Sequence, residues 1–141
     1  MTDSNFQPDR VMTWTKTMPA EFVRAPDGSE VRPLLELTRG GMAHCTLPPG
    51  GVSLAVRHKT IEELWYVIAG RGQMWRKHGT HEDVVDAVPG TCLSIPKGAH
   101  FQFRNTGDEP FEVIMATLPP WPGMDEAVRV ADHWPARRHD G

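Results

Sequence analysis

Three side chains that could bind a metal ion lie near the ends of separate predicted strands: His58, Glu63 and His100. Because side chains alternate between the two sides of a strand, His58 shares a side with the apolar Val56 and is predicted to point inward. Glu63 opens the next strand on the same side as Trp65. Two imidazoles and one carboxylate form a ligand set of open metal sites, which keep coordination positions free for substrate. The three residues predict a metal site, in which Glu63 is also a candidate catalytic base.

Other polar side chains on these strands are candidates for the same site. His44 lies on a predicted strand of its own, and on an inward side it could replace an imidazole ligand or carry a proton in catalysis. If the alternation of this strand is shifted by one residue, Glu62 rather than Glu63 is the carboxylate that points inward. The expected substrate pocket contains three residues from these strands: Val56, Trp65 and Gln102.

The elements that must position these side chains are short. Apolar runs of strand length are separated by turns rich in Gly, Pro, Asn and Asp. The predicted strands are 21–25, 31–38, 42–47, 52–58, 63–69, 72–77, 83–88, 92–95, 100–104 and 111–118. The predicted helix, Asp125–Val130, is short. Strands of this length and spacing predict an all-β fold, an antiparallel sandwich or barrel.

Composition narrows the class of protein. The chain has 141 residues and a mass of 15.8 kDa, which fits one domain. Thirteen Gly and 13 Pro residues agree with many tight turns. A formal charge of −3 excludes the strongly basic balance typical of nucleic-acid binding. We expect no membrane partner, because no apolar run approaches the ~20 residues that span a bilayer.

The domain organisation follows from the same composition. We expect a flexible N-terminus over residues 1–12, one barrel domain over 13–132 with its core at about 42–118, and a flexible tail over 133–141. The first residues are polar and lack the pattern of a signal peptide. Cys45 and Cys92 lie in apolar runs and are expected to be buried free thiols. The expected compartment is therefore the reducing cytoplasm.

Two stretches of the sequence resemble the motifs of the cupin superfamily, and in particular small bacterial single-domain cupins. The first stretch is Gly51-x6-His58-x4-Glu63-x6-Gly70, and the second is Gly90-x5-Pro96-x-Gly98-x-His100. The resemblance covers about residues 42–118. It implies a jelly-roll barrel of two antiparallel sheets, with His58, Glu63 and His100 as metal ligands.

The first motif departs from the family pattern at one ligand. Two histidines separated by one residue are usual, but here the triplet is Val56-Arg57-His58, which puts an aliphatic side chain in the first place. The spacing to Gly70 favours Glu63 over Glu62 as the family carboxylate.

The second motif is shifted by one residue. One residue is missing between Gly98 and His100, and one extra residue precedes Asn105. If the gap lies before His100, that imidazole is the ligand; if Asn105 anchors the alignment, Phe101 takes the ligand place and His100 faces away. We favour His100, because a Pro-x-Gly turn followed by His-Phe-Gln-Phe resembles the start of the family's ligand strand.

The resemblance also bears on function and partners. It implies a metal-dependent enzyme of oxygenase, isomerase or lyase type, acting on a small organic molecule with a divalent Fe, Mn, Ni or Zn ion. The alternative is a non-catalytic ligand-binding or sensor cupin, which Val56 favours because it removes one ligand. A homodimer is also implied, and residues 13–25, with Trp14 and Phe22, could supply apolar contacts for it.

Overall fold

A computed structural model describes residues 14–137, and strands dominate this part of the chain. The strands are β1 (Val23–Arg24), β2 (Glu30–Glu36), β3 (Gly41–Leu47), β4 (Val56–His58), β5 (Glu62–Ala69), β6 (Gly72–His78), β7 (His81–Ala87), β8 (Cys92–Ile95), β9 (His100–Asn105), β10 (Phe111–Leu118) and β11 (Ala127–Arg129). A 3₁₀ turn, Met124–Glu126, precedes β11. Within this range, no helix is long and apolar enough to cross a membrane.

The strands form two antiparallel sheets. One sheet has six strands in the order β1-β2-β3-β10-β5-β8, and the other has five in the order β11-β4-β9-β6-β7. The chain crosses repeatedly between them, so that some neighbours in a sheet, such as β3 and β10 or β4 and β9, are distant in sequence. This arrangement confirms the predicted all-β jelly roll.

The core lies between the two sheets and follows the alternation of each strand. In β5 the buried residues are Glu63, Trp65 and Val67, while Leu64 and Tyr66 between them are exposed. Burial of each large apolar side chain contributes about 1.5–3 kcal/mol. The largest core side chains include Phe101, Phe103, Phe111, Met74 and Ile95.

The predicted helix over Asp125–Val130 is wrong. A 3₁₀ turn occupies Met124–Glu126, and Ala127–Arg129 then pairs with β4. The carboxylate of Glu126 is buried and accepts hydrogen bonds from Thr60 N (2.7 Å), Thr60 Oγ1 (2.6 Å) and Ile61 N (3.0 Å). Although burial opposes its ionisation, these bonds lower the pKa of Glu126. The hydrogen bonds between Glu126 and the loop after β4 stabilise this conformation, and a pattern of so few residues does not stabilise a helix against them.

The predicted strand over 52–58 is shorter than expected. Only Val56–His58 is regular strand, because the backbone before it bonds to three other parts of the chain. Ser53 N donates to Phe103 O, Leu54 N to Asp27 O, and Ala55 N to Asp132 Oδ1.

The boundary predicted for the flexible tail, at residue 133, lies too early in the chain. Residues 133–137 pack on the outer face of the five-stranded sheet, where Arg137 forms an isolated bridge to Val52. The guanidinium carbon of Arg104 also lies over the indole of Trp134, 4.3 Å from the centroid of that ring. These contacts correct the predicted tail start at residue 133, while residues 138–141, like 1–13, lie outside the described residues.

The two cysteines differ in exposure. Cys45 is buried on the core side of β3, as expected, but Cys92 is exposed at the start of β8. Its neighbour Leu93 takes the buried position, because alternation allows only one of the two to face the core.

Candidate functional site

A cavity of about 370 Å³ lies between the two sheets. Its wall is mainly apolar and comes from β1, the turn after it, β2, and inward side chains of β3, β4, β5, β9 and β10. Trp121 and Met124, which are 37% and 60% exposed, line it from the segment after β10. A volume of this size accommodates a small organic molecule.

His58 and Glu63 face each other in this cavity. Both are 4% exposed, and His58 Nδ1 lies 3.9 Å from Glu63 Oε1, too far for a hydrogen bond. The indole Nε1 of Trp65 donates to the same Glu63 oxygen at 3.0 Å. His58 Nδ1 is buried without a hydrogen-bond partner in the described part of the chain. A buried nitrogen in this state has an unmet hydrogen bond, which is uncommon inside a folded protein.

Burial holds both groups in their neutral forms. It lowers the pKa of His58 to about 4, although the charge of Glu126 opposes this shift. It raises the pKa of Glu63 to about 8, against the hydrogen bond from Trp65 and with help from the charges of Asp27 and Glu126. At neutral pH the cavity therefore contains a neutral imidazole and a carboxyl group that binds a proton easily.

A second carboxyl group, Asp27, lines the same cavity. The turn Pro26-Asp27-Gly28-Ser29 brings it there, with Asp27 Oδ1 accepting hydrogen bonds from Ser29 N (2.9 Å) and Ser29 Oγ (2.6 Å). Burial raises the pKa of Asp27, and the Ser29 bonds oppose that shift. The sequence predicts only a turn here, between the strands 21–25 and 31–38. The Asp-x-Ser spacing is a signal for the local bonds but gives no sign that the turn enters the barrel.

Aromatic side chains surround His58. Its ring makes edge contacts with Phe101 and Trp121, with centroids 5.1 and 5.5 Å away. Trp65 is 3% exposed and makes an edge contact with Phe101, at 6.1 Å between centroids. Val56 and Trp65, predicted to line the pocket, both lie in its wall.

His100, the predicted third ligand, points away from the cavity. A tight turn precedes β9, with Ala99 N donating to Pro96 O at 3.0 Å and Gly98 at a φ of 84°. The turn leaves Ala99 fully buried, so alternation sends His100 outward and Phe101 inward. The alternative alignment, anchored on Asn105, is therefore the correct one.

On the outer face of the five-stranded sheet, His100 lies opposite Arg57 and Lys77 in the strand pairing. Partial burial and these two positive charges lower its pKa. The surroundings of His100 are thus those of a basic surface rather than of the cavity.

His44, predicted as a catalytic or substitute ligand residue, also faces away from the cavity. Its neighbour Cys45 is on the core side of β3, so alternation puts His44 on the outer face of the six-stranded sheet. There its Nε2 lies 2.8 Å from Glu112 Oε1, and the residue is only 2% exposed. It is a buried, paired side chain of the sheet surface.

Gln102, predicted as a pocket residue, is fully buried on the outer side of its sheet. Its Nε2 donates to Ser53 O and Trp134 O, both at 2.8 Å. Its Oε1 accepts from the backbone N–H groups of His133 and Trp134, also at 2.8 Å. The side chain thus fixes the C-terminal segment and does not reach the cavity.

The residues of the cavity do not fit a transition-metal site of the kind the sequence predicts. Of the predicted ligands only His58 and Glu63 meet there, while Val56 and Phe101 fill the places of the other two. Among residues 14–137, no group of three or more His, Cys, Asp or Glu side chains is arranged to hold a metal ion. His58 and Glu63 are two donors, fewer than the three that open sites present, and Asp27, although it lines the same cavity, does not form a metal-holding group with them.

Known proteins of similar sequence and structure agree with this fold. The uncharacterized protein MJ1618 of Methanocaldococcus jannaschii is 28% identical over 107 residues, which cover 72% of this chain and 82% of that protein. Protein BH2720 of Bacillus halodurans superposes with a TM-score of 0.61 at 21% identity, covering 72% of this chain and 75% of its own.

A larger protein shares the same fold over part of its length. Oxalate decarboxylase of Bacillus subtilis, for which Mn(II) centres have been described, superposes with a TM-score of 0.66 at 19% identity. The match covers 78% of this chain but only 30% of the decarboxylase. Finally, the sequence model of the cupin domain matches residues 43–117. The chain therefore belongs to the cupin family.

Proposed function

We propose that this protein binds a small organic molecule in the cavity between its sheets, through apolar contacts and hydrogen bonds to His58 and Glu63. The observation that carries the proposal is the pairing of two buried polar groups inside an otherwise apolar cavity of about 370 Å³. Such a combination of an apolar wall with a few convergent polar groups is typical of ligand pockets. Burial of a polar atom without a partner is costly, and the unpartnered His58 Nδ1 argues that a ligand completes the bonding at this pair.

A metal-dependent enzyme of oxygenase, isomerase or lyase type is the second candidate. The observation in its favour is the unpartnered Nδ1 of His58 beside Glu63, because imidazole and carboxylate are metal donors. The Mn(II) centres of oxalate decarboxylase belong to a protein of the same fold. Its weakness is that no three donors in the described cavity wall are arranged to hold a metal ion.

Elemental analysis of protein purified without chelator tests the second candidate. A near-stoichiometric transition metal that is lost in His58→Ala supports the enzyme. Substoichiometric metal, unchanged by addition of Fe, Mn, Ni or Zn, leaves ligand binding as the function.

A cavity-filling variant tests the main proposal. A library of small organic compounds is screened by thermal shift and ligand-observed NMR against the wild type, Val56→Phe and Val84→Phe. Val56 lines the cavity, whereas Val84 is 45% exposed on β7 and provides a matched control. We expect saturable ligands that compete with one another, bind Val84→Phe, and lose binding to Val56→Phe. Retention of every ligand by Val56→Phe would place the binding elsewhere.

We also propose a cytoplasmic homodimer. The N-terminal part of the described chain supports the dimer, because Trp14, Met18 and Phe22 are 81%, 47% and 40% exposed. Size-exclusion chromatography with light scattering tests it: a dimer gives twice the chain mass of 15.8 kDa, and a particle of 15.8 kDa excludes it.

A further inference from the structure

We infer that the ligand of this cavity is an organic ammonium ion: a small apolar molecule that carries a basic amine, bound between Glu63, Asp27 and His58. The inference rests on the proposed function and adds the chemical class of the ligand. It follows from the acceptor groups of the cavity, from its aromatic wall, and from the lack of a free cationic side chain in that wall.

The polar groups of the cavity are mainly hydrogen-bond acceptors. Glu63 and Asp27 both line it; burial raises the pKa of each carboxyl group, and the charge of Asp27 adds to the shift of Glu63. A neutral imidazole always has one nitrogen that accepts a hydrogen bond, and His58 Nδ1 has no partner in the described residues. An ammonium group has up to three donors and a positive charge, so it matches these acceptors and favours the ionised form of the buried carboxyl groups beside it.

The wall beside these acceptors is aromatic. Trp65, Phe101 and Trp121 line the cavity, and Phe101 and Trp121 contact the ring of His58. Aromatic rings attract organic cations through the negative potential of their faces, most strongly where water is excluded. Carboxyl groups and aromatic rings in the wall of one cavity therefore favour a cationic ligand over an anionic one.

Among the residues that the structure describes, no free cationic side chain faces these two carboxyl groups. Among the cavity-lining residues that the structure describes, Arg24 is the one cationic side chain. Its Nη1 donates to Gly28 O at 3.1 Å and lies 3.8 Å from Glu30 Oε2, while its guanidinium stacks on Phe22. Arg24 therefore already contacts Gly28, Glu30 and Phe22, and the described cavity wall has no other cationic side chain for Glu63 and Asp27. A cationic ligand would supply this partner.

A probe series with one hydrocarbon body and different polar groups tests this inference. The probes are cyclohexylmethylamine, cyclohexylmethanol and cyclohexanecarboxylate, and calorimetry with the full-length protein measures their affinity. We expect the amine to bind at least about tenfold more tightly than the alcohol and the carboxylate to bind most weakly. Glu63→Gln should reduce amine affinity by about tenfold or more and alcohol affinity by much less. Glu62→Gln is the matched control, because Glu62 is the exposed neighbour on the other face, and it should change neither affinity.

The outcomes separate this inference from the proposed function. Binding of the alcohol or the carboxylate as tightly as the amine, with loss in Val56→Phe, overturns the ammonium ligand while small-molecule binding stands. Failure of all three probes at millimolar concentration, together with no ligand from the compound library, overturns both. Because the comparison among probes uses the wild type, it remains decisive even if Glu63→Gln does not fold.

Discussion

The ring of Phe101 packs edge-on against the imidazole of His58, with 5.1 Å between centroids, where a further metal donor would otherwise face the cavity. Phe101 is 1% exposed and also contacts Trp65, so it is fixed from two sides. One aromatic side chain thus closes a ligand position and forms part of the wall that a bound molecule would touch.

Replacement of Phe101 by a donor should therefore create metal affinity. Phe101→His adds a second imidazole beside His58 and Glu63, giving the three protein donors of an open site. We expect Zn²⁺ or Mn²⁺ to bind about tenfold or more tightly than to the wild type, as measured by calorimetry. The gain should disappear when His58→Ala is added.

His100→Ala is the control for this experiment. The imidazole of His100 lies on the outer face opposite Arg57 and Lys77, so its removal should not change the metal affinity of the protein. A loss of metal binding in His100→Ala would mean that β9 has the opposite register from the one described.

The sequence predicts the architecture well, because the alternation of each strand is repeated many times. Trp65 and Glu63 fall on the inward side of β5 as their phase requires. The same rule fails for His100 because its phase depends on one short turn, and a one-residue difference there reverses every side chain that follows.

Which part of the fold covers a given side chain is harder to predict from the sequence than the side of the strand on which it lies. Gln102 and His44 are buried, yet each is buried on the outside of a sheet by a segment or side chain distant in sequence. Asp27 shows the opposite case, because a segment between two predicted strands, with only turn chemistry in its sequence, lines the cavity. Parity within a strand assigns a side chain to a face, but tertiary packing decides what covers that face.

The two thiols should differ sharply in reactivity. Cys92 is exposed, whereas burial raises the pKa of the Cys45 thiol and blocks access to it. We expect Ellman's reagent to titrate one thiol per native chain and two after denaturation. Cys92→Ser should remove the native reaction and Cys45→Ser should leave it; rapid reaction of both thiols in the native protein would contradict the burial of Cys45.

Removal of the Gln102 side chain should release the C-terminal segment. Gln102→Ala leaves four backbone groups without partners, and we expect a loss of about 2–4 kcal/mol in the free energy of unfolding. Hydrogen exchange should show faster exchange at the amides of His133 and Trp134. Lys77→Ala, exposed on the same face, should leave both measurements unchanged. Unaltered amide protection in Gln102→Ala would mean that other contacts, such as the Trp134–Arg104 stack, hold the segment.

Glu63 should make the protein less stable as the pH rises from about 6.5 to about 8. Its pKa is 4.5 in an ordinary setting and about 8 in the fold, so in this range the folded state binds a proton that the unfolded state has lost. The free energy of unfolding then falls with pH, by at most about 1.4 kcal/mol per pH unit. From about pH 4.5 to 6.5 His58 has the opposite effect, because its pKa is lowered from 6.5 to about 4 and the unfolded state holds the extra proton. The two slopes should nearly cancel there.

Glu63→Gln separates the two contributions, because glutamine cannot titrate. Chemical denaturation at a series of pH values should show a smaller fall for the variant than for the wild type above pH 6.5. Between pH 4.5 and 6.5 the slope of its stability with pH should be more positive than that of the wild type, because Glu63 no longer opposes His58. Glu62→Gln, on the exposed side of β5, should follow the wild type throughout. A wild type whose stability is flat from pH 6.5 to 8 would mean that Glu63 is ionised in the fold, and the cavity would then contain a fixed negative charge.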